Sequence, residues 1–324
     1  MYLEKRDAAL SILNCFMDRL PAAAATSTVR ALVQDTKVQV DQLQGADRDK
    51  PYLARTVCRV ATTLRRAGWI GDAIDILAWA QQRGAADPFI LGELIQCHVR
   101  CGQFAAAEAV LSEAETRECV TSALYVSLIT GYGRANDVRR AEDAYRRAVE
   151  RDRVDAFTAT AMAHTYARAG NMHAARDVVR VARRRGDVNA GLYNAAISAC
   201  LRGRDWPSAL ELLAQARRDA AVDAHTYRVL IGGCFDIGRP DEAEVLFRDA
   251  SRDGCVDAHV HRALVQGYIT VGCMGRAVAA FRRGAVAGQA SHAAYVLLLD
   301  ALVRKGQFRR ARNVRLEARK VRDR

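Results

Sequence analysis

Arginine recurs in this chain at a fixed interval. Arg66, Arg100, Arg134, Arg168 and Arg202 stand 34 residues apart, and Arg304 lies three intervals beyond. Guanidinium groups held at one height of a regular structure form a row of fixed positive charge, which is the chemistry that meets a phosphate backbone. Asp236 and Thr270 interrupt the row. The spacing also admits a plainer use, a cation at the negative end of each helix in a series. Lysine would serve that purpose equally, yet none stands in the row. A second group of cations closes the chain, where residues 301–324 hold ten Lys/Arg against two Asp/Glu, a net +8 of the formal +12. The run Arg309, Arg310, Arg312, Arg315, Arg319, Lys320, Arg322 and Arg324 reads either as a non-specific polyanion contact or as a solvated charged end.

Other chemistry-bearing residues are sparse. Cys97 and Cys101 share a helix face with His98 close by, but zinc takes four ligands and no complementary pair stands out, so the expectation is small packing residues and no metal. His259 and His261 are two apart at a helix start and point in different directions, which suits surface histidines. No phosphate-binding glycine loop, nucleophile elbow or paired His/acid motif is present. The expectation is a protein with no catalytic residues, no cofactor and no small-molecule substrate. Nine cysteines, an odd number without a pairing interval, speak against a disulfide framework and for a reducing compartment. No stretch approaches the roughly 18 apolar residues of a membrane span, and Met1 to Leu20 lacks a signal-peptide core, so no membrane association is expected and a soluble protein is. The two acidic residues among the first seven also suit a transit peptide poorly.

The elements that position the arginines follow from the same period. Ala73, Ala107, Ala141, Ala175, Ala209, Ala243, Ala277 and Ala311 stand 34 residues apart without an exception. Counting Ala54 as place 1 divides residues 54–324 into eight gapless repeats. Places 4, 7, 8 and 11 are mostly apolar, as in Tyr125, Leu128, Ile129 and Tyr132, and form one face of a first helix. Places 20, 23, 24 and 27 do the same for a second, as in Ala243, Leu246, Phe247 and Ala250. Place 27 is alanine in seven repeats and Gly284 in the other. Place 15 is glycine in six, with Asn136 and Arg204 as exceptions, and suits the left-handed residue that ends the first helix. Pro88, Pro207 and Pro240 fall at helix starts. Hairpins of this size cannot bury their faces alone, so the expected fold is an all-α, right-handed α-solenoid of tandem helix-turn-helix units with a concave surface. Residues 1–53 break the period. They read as an N-terminal helical cap, with helices over Leu3–Leu20 and roughly Thr26–Leu43.

Two helical repeat families share this length. The tetratricopeptide repeat, a protein-binding module, has a small residue at place 8 and proline at 32, whereas this chain has Ile95, Ile129, Ile197, Ile231, Val265 and Leu299 at place 8 and no proline at 32. Stretches such as Leu192-Tyr193-Asn194-Ala195-Ala196-Ile197-Ser198-Ala199-Cys200 and Thr226-Tyr227-Arg228-Val229-Leu230-Ile231 instead resemble the pentatricopeptide repeat, over residues 54–324. That family usually has units one residue longer, and alanine at place 27 is a tetratricopeptide-like departure.

The pentatricopeptide resemblance implies binding of single-stranded RNA at one base per repeat, with place 5 and the last place choosing the base. Carried over, the pairs are Cys58 with Asp87, Gly92 with Thr121, Val126 with Asp155, Thr160 with Asn189, Asn194 with Asp223, Arg228 with Asp257 and Arg262 with Ser291. Thr160 with Asn189 resembles a pair preferring adenine and Asn194 with Asp223 one preferring uracil, which implies 5′-AU-3′ at repeats four and five. The arginine, cysteine and glycine pairs fit no familiar code. Asp87, Asp155, Asp223 and Asp257 also precede helices and can serve as N-caps. The row Arg66, Arg100, Arg134, Arg168, Arg202 and Arg304 would meet the phosphates. The resemblance implies an organellar adaptor in RNA maturation, stability or translation, mitochondrial by expectation with plastid or cytoplasm as alternatives, or a subunit of a ribonucleoprotein such as the mitochondrial ribosome with protein partners there. The alternative is a tetratricopeptide-like scaffold for protein partners without RNA.

Overall fold

The computed structural model describes residues 50–82, 87–288 and 291–322, together with 31, 33, 34 and 38. The expected cap helices over 3–20 and 26–43 therefore lie almost wholly outside the described residues. The described chain is all-α, with sixteen helices and no strand among the described residues.

The helices alternate as first and second members of hairpins: α1 (Lys50–Arg66) with α2 (Ile70–Gln82), α3 (Pro88–Arg100) with α4 (Phe104–Thr116), and α5 (Ser122–Arg134) with α6 (Val138–Glu150). There follow α7 (Ala156–Arg168) with α8 (Met172–Arg185), α9 (Ala190–Arg202) with α10 (Trp206–Arg218), and α11 (Ala224–Asp236) with α12 (Pro240–Arg252). The last pairs are α13 (Ala258–Thr270) with α14 (Met274–Val286), and α15 (His292–Arg304) with α16 (Phe308–Arg322). From α3 onward every first helix opens at place 1 and closes at place 13, so the arginine row occupies helix C-termini. A boundary between Thr165 and Tyr166, inside α7, divides the chain into two compact units.

Within each unit the first helices pack side by side, α1 on α3 on α5 in one and α9 on α11 on α13 on α15 in the other, each with its own second helix alongside. The apolar places named above form the core: Tyr125, Leu128, Ile129 and Tyr132 are at 0% exposure, as are Tyr227, Leu230 and Ile231. Alanine at place 27 lets the two helices of a hairpin approach, and Ala114, Ala148, Ala216 and Ala250 are all at 0%. Place 10 carries a second small-residue requirement. A Cβ on Gly131 would overlap Val99, one on Gly233 would overlap Leu201, and one on Gly267 would overlap the Phe235 ring. In each case place 12 of one repeat inserts against place 10 of the next.

The turns repeat as regularly. At place 15 the glycines have positive φ, and Asn136 (φ 58°) and Arg204 (φ 57°) adopt the same left-handed conformation despite their side chains. Place 31, which ends the second helix, is left-handed too, occupied by Gly186, Gly254 and Gly288 but also by Glu118, Asp152 and Ala220.

A periodic polar bridge joins successive repeats on the second-helix side. Arg183 binds Asp219 at 2.7 Å and Asp219 accepts from the Tyr193 hydroxyl, while Arg217 binds Asp253 at 3.0 Å and Asp253 accepts from the Tyr227 hydroxyl. Each bridge runs from place 28 of one repeat to place 30 of the next. In the first unit Glu115 plays the acidic part, bound to Arg147 at 2.6 Å and to the Tyr125 hydroxyl at 2.6 Å. Burial pushes the tyrosine hydroxyls above their ordinary range, so they stay protonated donors.

Candidate nucleic-acid interface

The surface that could meet RNA is built from the first helices, whose inward faces are spent on the core and whose places 5, 9, 12 and 13 face the grooves between neighbours. In the first unit the groove between α3 and α5 has a volume of about 260 Å³ and brings together Arg100 and Arg134 of the row with Val126, a place-5 residue, over a floor at Gly131. Arg65 also lines it but is bound to Glu93 at 3.1 Å. In the second unit the groove between α11 and α13 has a volume of about 400 Å³ and holds Arg228 and Arg262, both at place 5, with Asp236 and Thr270 at its place-13 end.

The arginine row divides in the structure. Arg66, Arg100, Arg134 and Arg168 are exposed and have no acidic partner among the described residues. Arg202 donates to the Ala167 carbonyl at 2.9 Å, across the C-terminus of the preceding first helix, which is the plainer use of a cation there. Arg304 pairs with Asp300 at 2.7 Å, four residues back on its own helix. The contrast lies with the second helices, where Arg147, Arg183, Arg217 and Arg283 are held by Glu115, Asp219, Asp253 and Glu244.

The residues at the last place are helix N-caps throughout. Asp87 accepts from the Phe89 amide, Asn189 from Leu192, Asp257 from His259 and Val260, and Ser291 from Ala294. Asp155 accepts from the amide and the hydroxyl of Thr158, both at 2.8 Å. Burial would raise its pKa, but hydrogen bonds from Ser122 and Thr158 outweigh that and hold the carboxyl below its ordinary value. Thr121 precedes α5 without a side-chain cap bond.

Of the two coded pairs, Asn194 and Asp223 are brought together, the Asn194 amide donating to Asp223 Oδ1 at 3.2 Å. The same Oδ1 caps α11 through the Thr226 amide at 2.7 Å and hydroxyl at 2.9 Å. Asn194 itself is 5% exposed, and its carbonyl Oδ1 is buried without a partner. An amide this deep does not present its own edge to a base. It orients Asp223, whose Oδ2 accepts no hydrogen bond among the described residues and is the group left for an incoming donor. Burial pushes the Asp223 pKa up, but the Thr226 and Asn194 bonds prevail and keep it an anion. Thr160 donates to the Ala156 carbonyl at 2.6 Å, a bond within its own helix.

His261 is a correction. It is not a surface histidine but is at 0% exposure, its Nε2–H donating to the Ala280 carbonyl at 2.9 Å, with Nδ1 buried and unpartnered. A Cβ on Gly284 would overlap its ring, so the one glycine at place 27 and the one histidine at place 4 are a matched pair. Cys97 is buried and its thiol is pushed up to about 12, chiefly by burial, so it stays protonated. Among the described residues no three His, Cys, Asp or Glu side chains stand close enough to hold a metal ion. No helix among them is long and apolar enough to cross a membrane.

The family model for the PPR repeat matches residues 123–152, 192–219 and 225–255, which lie in repeats three, five and six. Those three segments match the pentatricopeptide repeat. No curated protein matches it in sequence. Among solved structures it is similar to the pentatricopeptide repeat protein PPR10 in complex with an 18-nt psaJ RNA element, at 19% identity and a TM-score of 0.55. That match covers 94% of this chain and 47% of the other, so the chain spans about half the length of that protein. A structure of PPR10 from maize aligns over 98% of this chain and 49% of the other, at 20% identity and a TM-score of 0.48. The likeness to the RNA-bound PPR10 structure shows a shared fold.

Sequence reasoning missed the place-28 to place-30 bridge because its partners are 36 residues apart, not 34. The signal was available in the recurrence of Arg183 and Arg217 with Asp219 and Asp253. The small residue at place 10 was also legible, as Gly131, Ala199, Gly233 and Gly267.

Proposed function

We propose that the protein binds single-stranded RNA along the face of its first helices and acts as an adaptor in organellar RNA maturation, stability or translation, alone or within a ribonucleoprotein. The observation that carries this reading is the division of the arginines. Arg147, Arg183, Arg217 and Arg283 on the second helices are consumed in bridges between repeats, whereas Arg66, Arg100 and Arg134 stand exposed at the same end of successive first helices with no acid to neutralise them. Unpaired guanidiniums at a regular spacing are suited to phosphates. The repeat family and the solved PPR10–RNA complex support the same reading.

Base selection on this reading is confined to repeats four and five, through Thr160 with Asn189 and Asn194 with Asp223. Capping and reading are compatible at Asp223 because capping uses one carboxylate oxygen and leaves the other. Mitochondrial placement is part of the proposal and rests on the family resemblance alone.

The test is binding of fluorescent RNA 12-mers by anisotropy across a salt series. Replacing Arg66, Arg100 and Arg134 together by Gln lowers the slope of log affinity against log salt by about 2, at about 0.7 per lost phosphate contact on a single strand. A wild type that ignores RNA at low salt, or a variant with an unchanged slope, defeats the reading. Capture of peptides in place of RNA would favour a tetratricopeptide-like scaffold.

A further inference from the structure

Along the sequence from repeat four to repeat seven the positive charge of the first helices changes ends. Repeats four and five carry arginine at place 13, as Arg168 and Arg202, with Thr160 and Asn194 at place 5. Repeats six and seven carry Asp236 and Thr270 at place 13, and Arg228 and Arg262 at place 5. The two repeats that lack the row's arginine are the two that have one eight residues earlier on the same helix.

The structure places these substitutions in one groove. Arg228 and Arg262, on α11 and α13, both line the space of about 400 Å³ between those helices and are half-buried. Neither has an acidic partner among the described residues. The only bonding partner of Arg228 there is His225, whose Nδ1 accepts from the guanidinium at 2.8 Å. Half-buried arginines elsewhere in the protein are tied to carboxylates, as Arg65 is to Glu93 and Arg147 to Glu115. A pair of partly desolvated guanidiniums with no counter-charge is a site for an external anion. Asp236, the one acid lining the groove, sits eight residues further along α11. Eight helical residues span about 12 Å, more than the screening length of about 8 Å in physiological salt, so Asp236 does not neutralise the pair. Its charge repels a phosphate from the place-13 end and leaves the place-5 end as the attractive one.

We propose that the groove between α11 and α13 is a phosphodiester clamp in which Arg228 and Arg262 hold the RNA backbone, so that repeats six and seven grip the strand without reading a base. The inference rests on the RNA-binding reading above and adds to it. The strand's backbone moves from the place-13 row, where Arg168 stands exposed at repeat four, to the place-5 groove at six and seven. The place normally given to base selection is occupied there by a backbone contact.

The experiment measures affinity and salt slope for the full chain, an Arg228→Gln/Arg262→Gln variant and an Arg228→Lys/Arg262→Lys variant, on U12, A12, C12 and a 12-mer containing guanine. Melting temperatures and circular dichroism show whether each variant folds. The clamp requires that the Gln variant lose about 1.4 from the slope, two contacts at about 0.7 each, with an equal loss of affinity on all four RNAs. It requires also that the Lys variant keep the wild-type slope, since a phosphate accepts any cation. A Gln variant with the wild-type slope overturns the clamp. Loss confined to the guanine RNA and shared by the Lys variant overturns it in favour of bidentate guanine reading. If the slope responds to Arg66, Arg100 and Arg134 but not to Arg228 and Arg262, the clamp fails and the RNA-binding reading stands. A wild type that binds none of the RNAs defeats both.

Discussion

Gly284→Ala restores the alanine found at place 27 of the other seven repeats, yet it is expected to be among the most damaging small substitutions in the protein. The reason is His261. Its ring lies buried between Phe247 and Phe281, with centroids 6.3 and 6.5 Å away, and a Cβ at position 284 would overlap it. Displacing the ring breaks the 2.9 Å bond from Nε2 to the Ala280 carbonyl. A buried polar group left unpaired costs about 1–3 kcal/mol and overpacking a further 1–3, so the substitution costs about 2–5 kcal/mol. His261→Leu in the same chain recreates the combination of repeat two, where Leu91 and Ala114 are both at 0% exposure. The double variant therefore recovers about 1–3 kcal/mol of that cost as coupling between contacting sites. Urea denaturation followed by circular dichroism gives the energies, and amide hydrogen exchange on α13 and α14 localises them. Single costs that add to within about 0.5 kcal/mol would refute the contact. Protonation provides a second arm. Burial, against the opposing Ala280 bond and aided by Arg283, lowers the His261 pKa from its ordinary 6.5. The unfolded chain then takes up this proton at higher pH than the folded one, so stability falls as pH drops through 6.5. That loss should be absent from His261→Leu, and an identical pH profile in the two proteins would contradict a neutral buried imidazole.

Three further substitutions probe the turns, caps and bridges. Ala220 is exposed and left-handed at φ 52°, so Ala220→Gly removes steric cost without losing packing and should raise stability by about 0.5–1 kcal/mol, read as an increase in melting temperature. Thr121 lacks the cap bond that the aspartates make at the same place, so Thr121→Asp should add about 0.5–1 kcal/mol, whereas Asp223→Ala should lose about 1–2. Asp219→Asn weakens the bonds to Arg183 and Tyr193 and should cost about 1–2 kcal/mol at neutral pH. Arg183, against a small opposing effect of burial and with help from Tyr193, holds the Asp219 carboxyl below its ordinary 3.8. Its contribution is therefore present above that value and lost as pH falls below it, and the Asn variant should lack that part of the acid transition.

The sequence by itself determined the hairpin architecture, because a strict 34-residue spacing of small and apolar residues leaves each helix one face to bury and only a neighbouring repeat to bury it against. It also determined where the left-handed turns at place 15 fall, down to Asn136 and Arg204, since the period outweighs the side chain's preference. The caps at the last place were legible because capping depends on local chain geometry and a short polar side chain. Other features needed the tertiary structure, because the residue types hid a turn or because the contact depends on which side chains meet in space. The left-handed place 31 was hidden by Glu118, Asp152 and Ala220, and the pairing of His261 with Gly284 by their separation of 23 positions. Sequence showed Arg66, Arg202 and Arg304 as equal members of one row. Only the fold left the first exposed without an acid, set the second on the Ala167 carbonyl and paired the third with Asp300, because the position and access of each guanidinium are fixed by its neighbours in space. The place-5 arginines likewise acquired a meaning only when α11 and α13 closed a groove around them.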